Sequence, residues 1–131
     1  MIEPLLLTTT RISTFDNAVG LTAASGFFFE RDQRLYLVTS RHVFIDTPSE
    51  HTPNRIEIEL HTDVGNLTQT LTLSIFLYQD GKSCWRQGSD AGGEIDVALI
   101  EIDRSALPDS VLLQCFTTEH LQRSLQEVEV G

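Results

Sequence analysis

Residues 55–61, Arg-Ile-Glu-Ile-Glu-Leu-His, alternate between apolar and polar positions without a break. An extended chain turns successive side chains to opposite faces. Ile56, Ile58 and Leu60 therefore share one face and Glu57 and Glu59 the other, as a half-buried strand requires. Residues 67–77 repeat the pattern, with Leu71, Leu73, Ile75 and Leu77 set against Thr70, Thr72, Ser74 and Phe76, the phenylalanine interrupting an otherwise polar side. Between the two runs, Asp63-Val64-Gly65-Asn66 supplies Gly and Asn for a turn with positive φ, which predicts an antiparallel hairpin.

Four further runs read as strands. Residues 5–13 are rich in Leu and Thr, residues 26–30 carry three consecutive phenylalanines, and residues 35–39 and 96–103 are dominated by apolar side chains. The polar link at residues 31–34 suits a hairpin, while residues 88–93, Gly-Ser-Asp-Ala-Gly-Gly, read as a flexible loop. Helical signals are limited to one turn over residues 41–45 and a short helix capped by Thr118 that carries Leu121 and Leu125. Residues 127–131 begin another alternation. Six short strands without intervening helices predict an all-β, antiparallel barrel or sandwich rather than an α/β sheet. The whole of residues 1–131 reads as one domain, large enough to bury roughly two thirds of its unfolded surface.

Charge narrows the partners. With 19 acidic residues against 9 Lys and Arg, the net charge is −10, which disfavours the cationic contacts on which nucleic-acid affinity depends. No apolar run approaches the roughly 20 residues of a membrane span, and the first residues lack the basic region of a secretory signal. Cys84 and Cys115 can form at most one disulfide, so the expected compartment is reducing and cytoplasmic. His51, His61 and His120 show no metal-ligand spacing with one another or with the cysteines, and no cofactor is implied.

Chemistry is carried by His42 and Asp96. Residues 37–43, Leu-Val-Thr-Ser-Arg-His-Val, place a histidine where an apolar strand gives way to a turn, and residues 96–100, Asp-Val-Ala-Leu-Ile, open a strand with an aspartate. A histidine acting as general base needs a nucleophile at one ring nitrogen and a carboxylate at the other. The plainer alternative is a histidine hydrogen-bonded at a strand end and an aspartate in a turn. The order and separation of the two segments resemble the trypsin-like, chymotrypsin-fold serine peptidases. In that family a Leu-Thr-Ala-Ala-His motif supplies the histidine and an Asp-Ile-Ala-Leu-Leu motif the aspartate. Here Ser40-Arg41 replaces the small pair, and Ala24-Ser25-Gly26-Phe27 matches the glycine motif that opens the preceding strand. Val43 stands where many secreted members have cysteine, which is similar to the disulfide-poor, bacterial-type branch.

The resemblance implies a six-stranded antiparallel β-barrel with short helical turns, the first of two barrels, cut near residues 125–131 where a second would begin. It also implies His42 as base and Asp96 as its orienting carboxylate, acting on a peptide or protein substrate. The nucleophile departs from the pattern: after Asp96 only Ser105, Ser110 and Ser124 remain, none flanked by glycine. The expectation is therefore the N-terminal half of a serine endopeptidase, inactive alone, able to self-associate through its exposed inter-barrel face. A non-catalytic β-barrel that binds peptides or proteins, a degenerate peptidase, is the alternative.

Overall fold

The computed structural model describes residues 7–119, and the protein is all-β. The predicted helix beginning at Thr118 and the alternation at residues 127–131 fall largely or wholly outside the described residues. Within them, β1 (Thr9–Asp16), β2 (Val19–Arg31), β3 (Arg34–Thr39), β4 (Arg55–His61), β5 (Thr70–Phe76), β8 (Trp85–Asp90) and β9 (Gly93–Ile102) form one sheet in the order β5-β4-β1-β2-β3-β9-β8. The short β10 (Phe116–Thr117) adds in parallel to β2, and β6 (Tyr78–Gln79) pairs with β7 (Lys82–Ser83) as a separate hairpin. One helical turn, α1 (Arg41–Phe44), follows β3.

The period-two reading of residues 55–61 holds in detail. Ile56, Ile58 and Leu60 are buried, and β4 pairs with β5 from Arg55–Phe76 through His61–Thr70. Leu71, Leu73 and Ile75 pack against the core as expected, while Phe76 lies exposed on the outer side. The core is completed by Ile12 of β1, Phe28 of β2, Leu35 and Leu37 of β3, and Ala98, Ile100 and Ile102 of β9. Threonines that point inward find partners: Thr10 Oγ1 donates to the Glu59 carbonyl at 2.9 Å, and the Thr14 and Thr22 hydroxyls meet at 2.6 Å. Buried hydroxyls bonded in this way avoid the cost of an unsatisfied polar group.

The sheet has eight strands in an open ladder that backbone hydrogen bonds do not close. The two edge strands, β5 and β8, instead flank the β6–β7 hairpin, and Cys84 N–H donates to the Leu77 carbonyl at 2.9 Å across the base of that hairpin. Two expectations need correction. Residues 88–93 are mostly not loop: β8 runs to Asp90 and pairs with β9, so that glycine content marked a hairpin tip. Finally, the phenylalanine strand begins much earlier than residue 26 and spans Val19–Arg31.

That long strand changes partners along its length. Residues 19–27 of β2 pair with β1, and residues 27–31 also pair with β3. Gly26 sits at the changeover, where a Cβ would lie 2.8 Å from both Ile12 Cδ1 and the Val38 carbonyl. Such contacts are far inside van der Waals distance, so only glycine lets the strand pass there. The Ala-Ser-Gly segment thus has a packing reason of its own.

Candidate active site

Strand register brings His42 and Asp96 together. β3 and β9 run antiparallel from Leu35–Ile102 to Thr39–Ala98, so extending the register by two places Arg41 opposite Asp96. Asp96 shares the inward face of Ala98 and Ile100, but it lies beyond the end of β3, where the core opens to solvent. α1 turns immediately after β3, buries Val43 and Phe44, and so leaves its remaining side chains, His42 among them, on the outside. Phe44 is fully buried and meets Trp85 edge-to-face at 5.5 Å, which anchors the turn.

The Asp96 carboxylate grips His42 at two points. Oδ2 lies 2.8 Å from Nδ1, and Oδ1 accepts the His42 backbone N–H at 3.0 Å. Both side chains are more than half exposed, at 60% and 56%. The His42 ring is the chief cause that holds the Asp96 carboxyl below the ordinary aspartate value; partial desolvation opposes it, and the His42 N–H and the charges of His42 and Arg41 assist. An ionised carboxylate only accepts hydrogen bonds, so Nδ1 must carry a proton, and in the neutral ring Nε2 then presents the lone pair. Among the described residues no side chain is bonded to that nitrogen. The pair is an imidazole fixed in tautomer and direction at the border of a groove.

This predicts a titration of defined sign. Because the Asp96 pKa is depressed in the folded state, the contact stabilises the fold above the ordinary aspartate range and its contribution is lost as pH falls through the lowered value. Following the Asp96 carboxyl carbon by NMR is expected to give a midpoint below that of an aspartate in a short unstructured peptide. A midpoint at or above the peptide's would show that the two-point grip does not exist in solution.

The other candidates separate cleanly. His51 Nε2 donates to the Val43 carbonyl at 2.8 Å, and His61 Nδ1 donates to the Leu67 carbonyl at 3.1 Å, so both act on backbone. His120 lies outside the described residues. Among the described residues no three His, Cys, Asp or Glu side chains gather as a metal site, and no helix is long and apolar enough to cross a membrane. Ser105 Oγ donates to its own capping partner Asp103 Oδ1 at 2.6 Å and is not poised to react. Both cysteines are free and partly buried, and Cys115 is pushed up by burial and by Glu30 against the smaller opposing effect of Arg104. A thiol shifted in that direction is a poor nucleophile at neutral pH.

Sequence reasoning missed a groove beside His42. It has a volume of about 590 Å³ and is bounded by Leu21–Ala24 of β2, by His42 and Val43, and by the loop containing Asp46 and residues 49–51. Thr22 N–H donates to Thr14 Oγ1 at 3.0 Å, so Thr22 faces β1 and alternation turns the Ala23 backbone to the other edge. β3 pairs with β2 only at residues 27–31, which leaves that edge without a strand at Ala23 among the described residues. A strand with one such open edge would have been legible only if the early start of β2 at Val19 had been recognised. No family model matches the chain, and neither a curated protein nor a solved structure matches it.

Proposed function

We propose that this chain is the first-barrel half of a trypsin-like serine peptidase, with His42 as general base and acid and Asp96 as the carboxylate that orients it. The observation that carries this reading is the two-point hydrogen bond between Asp96 and His42. A lone histidine at a strand end needs one partner. A catalytic base needs its tautomer fixed and its second nitrogen free, and both conditions are met here.

In this reading the barrel comprises β1, β2, β3, β4, β9 and one sixth strand that the β6–β7 hairpin splits into β5 and β8. The support is that β5 and β8 are the two edges of the ladder and belong to one stretch of chain. The serine comes from outside the described residues. Its Oγ attacks a peptide carbonyl while Nε2 takes the hydroxyl proton, and the same proton passes to the leaving amine as the C–N bond breaks. Water then repeats the sequence on the acyl-enzyme. Outward-facing Phe27, Phe29, Tyr36, Val38, Val97 and Leu99, all half-buried or exposed, supply an apolar surface suited to a second barrel, or to a second copy when that barrel is missing.

A fluorophosphonate reagent tests this directly. The full-length natural chain is expected to be labelled, its His42→Ala variant to lose labelling, and residues 1–131 alone to remain unlabelled. A natural chain with no reactive serine would overturn the enzyme reading and leave the second one, a non-catalytic peptide-binding module. The open edge of β2 at Ala23 favours that alternative, since an unpaired strand edge can receive an extended peptide without any chemistry.

A further inference from the structure

We propose that His51 is a positioning residue for His42: its ring caps the end of α1 and fixes the turn from which the imidazole is presented. The catalytic consequence rests on the peptidase reading proposed above, while the geometry belongs to residues 1–131 alone. Four residues cannot make a self-supporting helix, so the direction of His42 depends on what grips α1 from outside. Backbone N–H groups point toward the start of a helix and carbonyls toward its end. Asp96 accepts the His42 N–H at 3.0 Å from one side, and His51 Nε2 donates to the Val43 carbonyl at 2.8 Å from the other. The two side chains therefore clamp α1 along its axis, one on His42 and one on the next residue.

α1 ends where that ring is needed. The chain turns extended at Ile45, and the Asp46 N–H goes to the His51 carbonyl at 2.9 Å, so the helical ladder stops at the bond from Ile45 N–H to the Arg41 carbonyl. Val43 is buried, and a carbonyl left over at a buried helix end requires another donor. His51 is itself firmly mounted. It exchanges both backbone bonds with Asp46, at 2.9 and 3.0 Å, which closes residues 46–51 into a tight loop. Inside that loop Thr47–Ser49 form a single 3-10 turn, Glu50 takes a φ of 59°, and the Ser49 hydroxyl donates to Asp46 Oδ2 at 2.8 Å. Just beyond it Pro53 is fully buried, and the Asn54 N–H donates to the Phe15 carbonyl of β1 at 3.0 Å. α1 is thus braced against β1 through His51 and against β9 through Asp96.

His51 also borders the groove beside His42, so contact with substrate has to be separated from positioning. The test compares His51→Gln, whose amide nitrogen lies as many bonds from Cα as Nε2 does and can donate, with His51→Met, of the same length and without a donor. In residues 1–131, His51→Met is expected to speed amide hydrogen exchange at His42 roughly three- to tenfold, the share of one hydrogen bond, and to shift the ring ¹⁵N signals of His42 away from the Nδ1–H tautomer. His51→Gln should keep the wild-type values. In the full-length chain His51→Met is expected to lower kcat about ten- to a hundredfold with KM little changed, and His51→Gln to restore it. The unmutated chain supplies a check that does not depend on how well the methionine variant folds: at pH 8 the His51 ring should carry its proton on Nε2, in slow exchange with water. A His51 ring protonated on Nδ1, a methionine variant with His42 unchanged, a glutamine variant no better than methionine, or an effect confined to KM would each overturn the positioning role. If the His42 signals respond as expected while the natural chain resists the fluorophosphonate, the peptidase reading falls and the positioning role stands.

Discussion

Replacing Asp96 by asparagine in the full-length chain is expected, on the proposed peptidase reading, to lower kcat about ten-thousand-fold with little change in KM, the loss seen when an orienting aspartate is made neutral in a triad. The structure gives the reason atom by atom. Asp96 Oδ1 is committed to the His42 backbone N–H, so an asparagine keeps its carbonyl oxygen there and puts its amide NH2 where Oδ2 was, 2.8 Å from Nδ1. An NH2 group only donates, which makes Nδ1 the acceptor and moves the ring proton to Nε2. The imidazole then has no lone pair for a serine proton. Residues 1–131 alone report the same switch without catalysis, because the ¹⁵N shifts of the His42 ring distinguish the two tautomers. A loss in kcat below tenfold, or a ring that keeps its proton on Nδ1 in the variant, would remove Asp96 from the mechanism.

His42 and Asp96 were legible because each borders an apolar run, although β9 starts at Gly93 and so places Asp96 inside the strand instead of at its opening. That residues 35–39 and 96–103 are neighbours was not legible: only the resemblance linked His42 with Asp96, and it is the β3–β9 register that carries both to the rim. The open ladder was not legible. Tyr78 to Ser83 contains no long alternation, and the Asp80-Gly81 turn between β6 and β7, with both residues at positive φ, lies beyond the alternation that ends at Leu77. Nor was β8, because Gly88 and Ser89 look like loop residues until Gly88 is seen packed against Ile95 and Val97 of β9, where a side chain would be crowded. The groove escaped for a related reason. Thr22, Ala23 and Ala24 have short side chains and little hydrophobic pattern, so their strand is held by pairing with β1 rather than by burial.

Phe44→Ala is expected to cost about 3–5 kcal/mol of stability, the range for truncating a fully buried phenylalanine, and to lower the melting temperature by roughly 10–20 °C. Its effect on the site should be out of proportion to its distance from the chemistry. α1 has four residues, too few to persist as a helix without tertiary contacts, and the burial of Val43 and Phe44 with the Trp85 edge-to-face contact is its apolar hold on the sheet, beside the Asp96 bond to the His42 N–H. Losing that anchor frees the turn that aims His42, so the ring should lose its fixed tautomer before the sheet melts. Phe44→Leu, which keeps most of the volume, should cost less than half as much and retain the His42 signature, so the comparison survives even if the alanine variant folds poorly. Denaturant melts and ¹⁵N spectra of the two variants separate the outcomes. Were Phe44→Ala to cost under 1 kcal/mol, or were both variants to leave the His42 ring unchanged, α1 would have to be held by the Asp96 bond to the His42 N–H and the His51 bond to the Val43 carbonyl, and not by its buried ring.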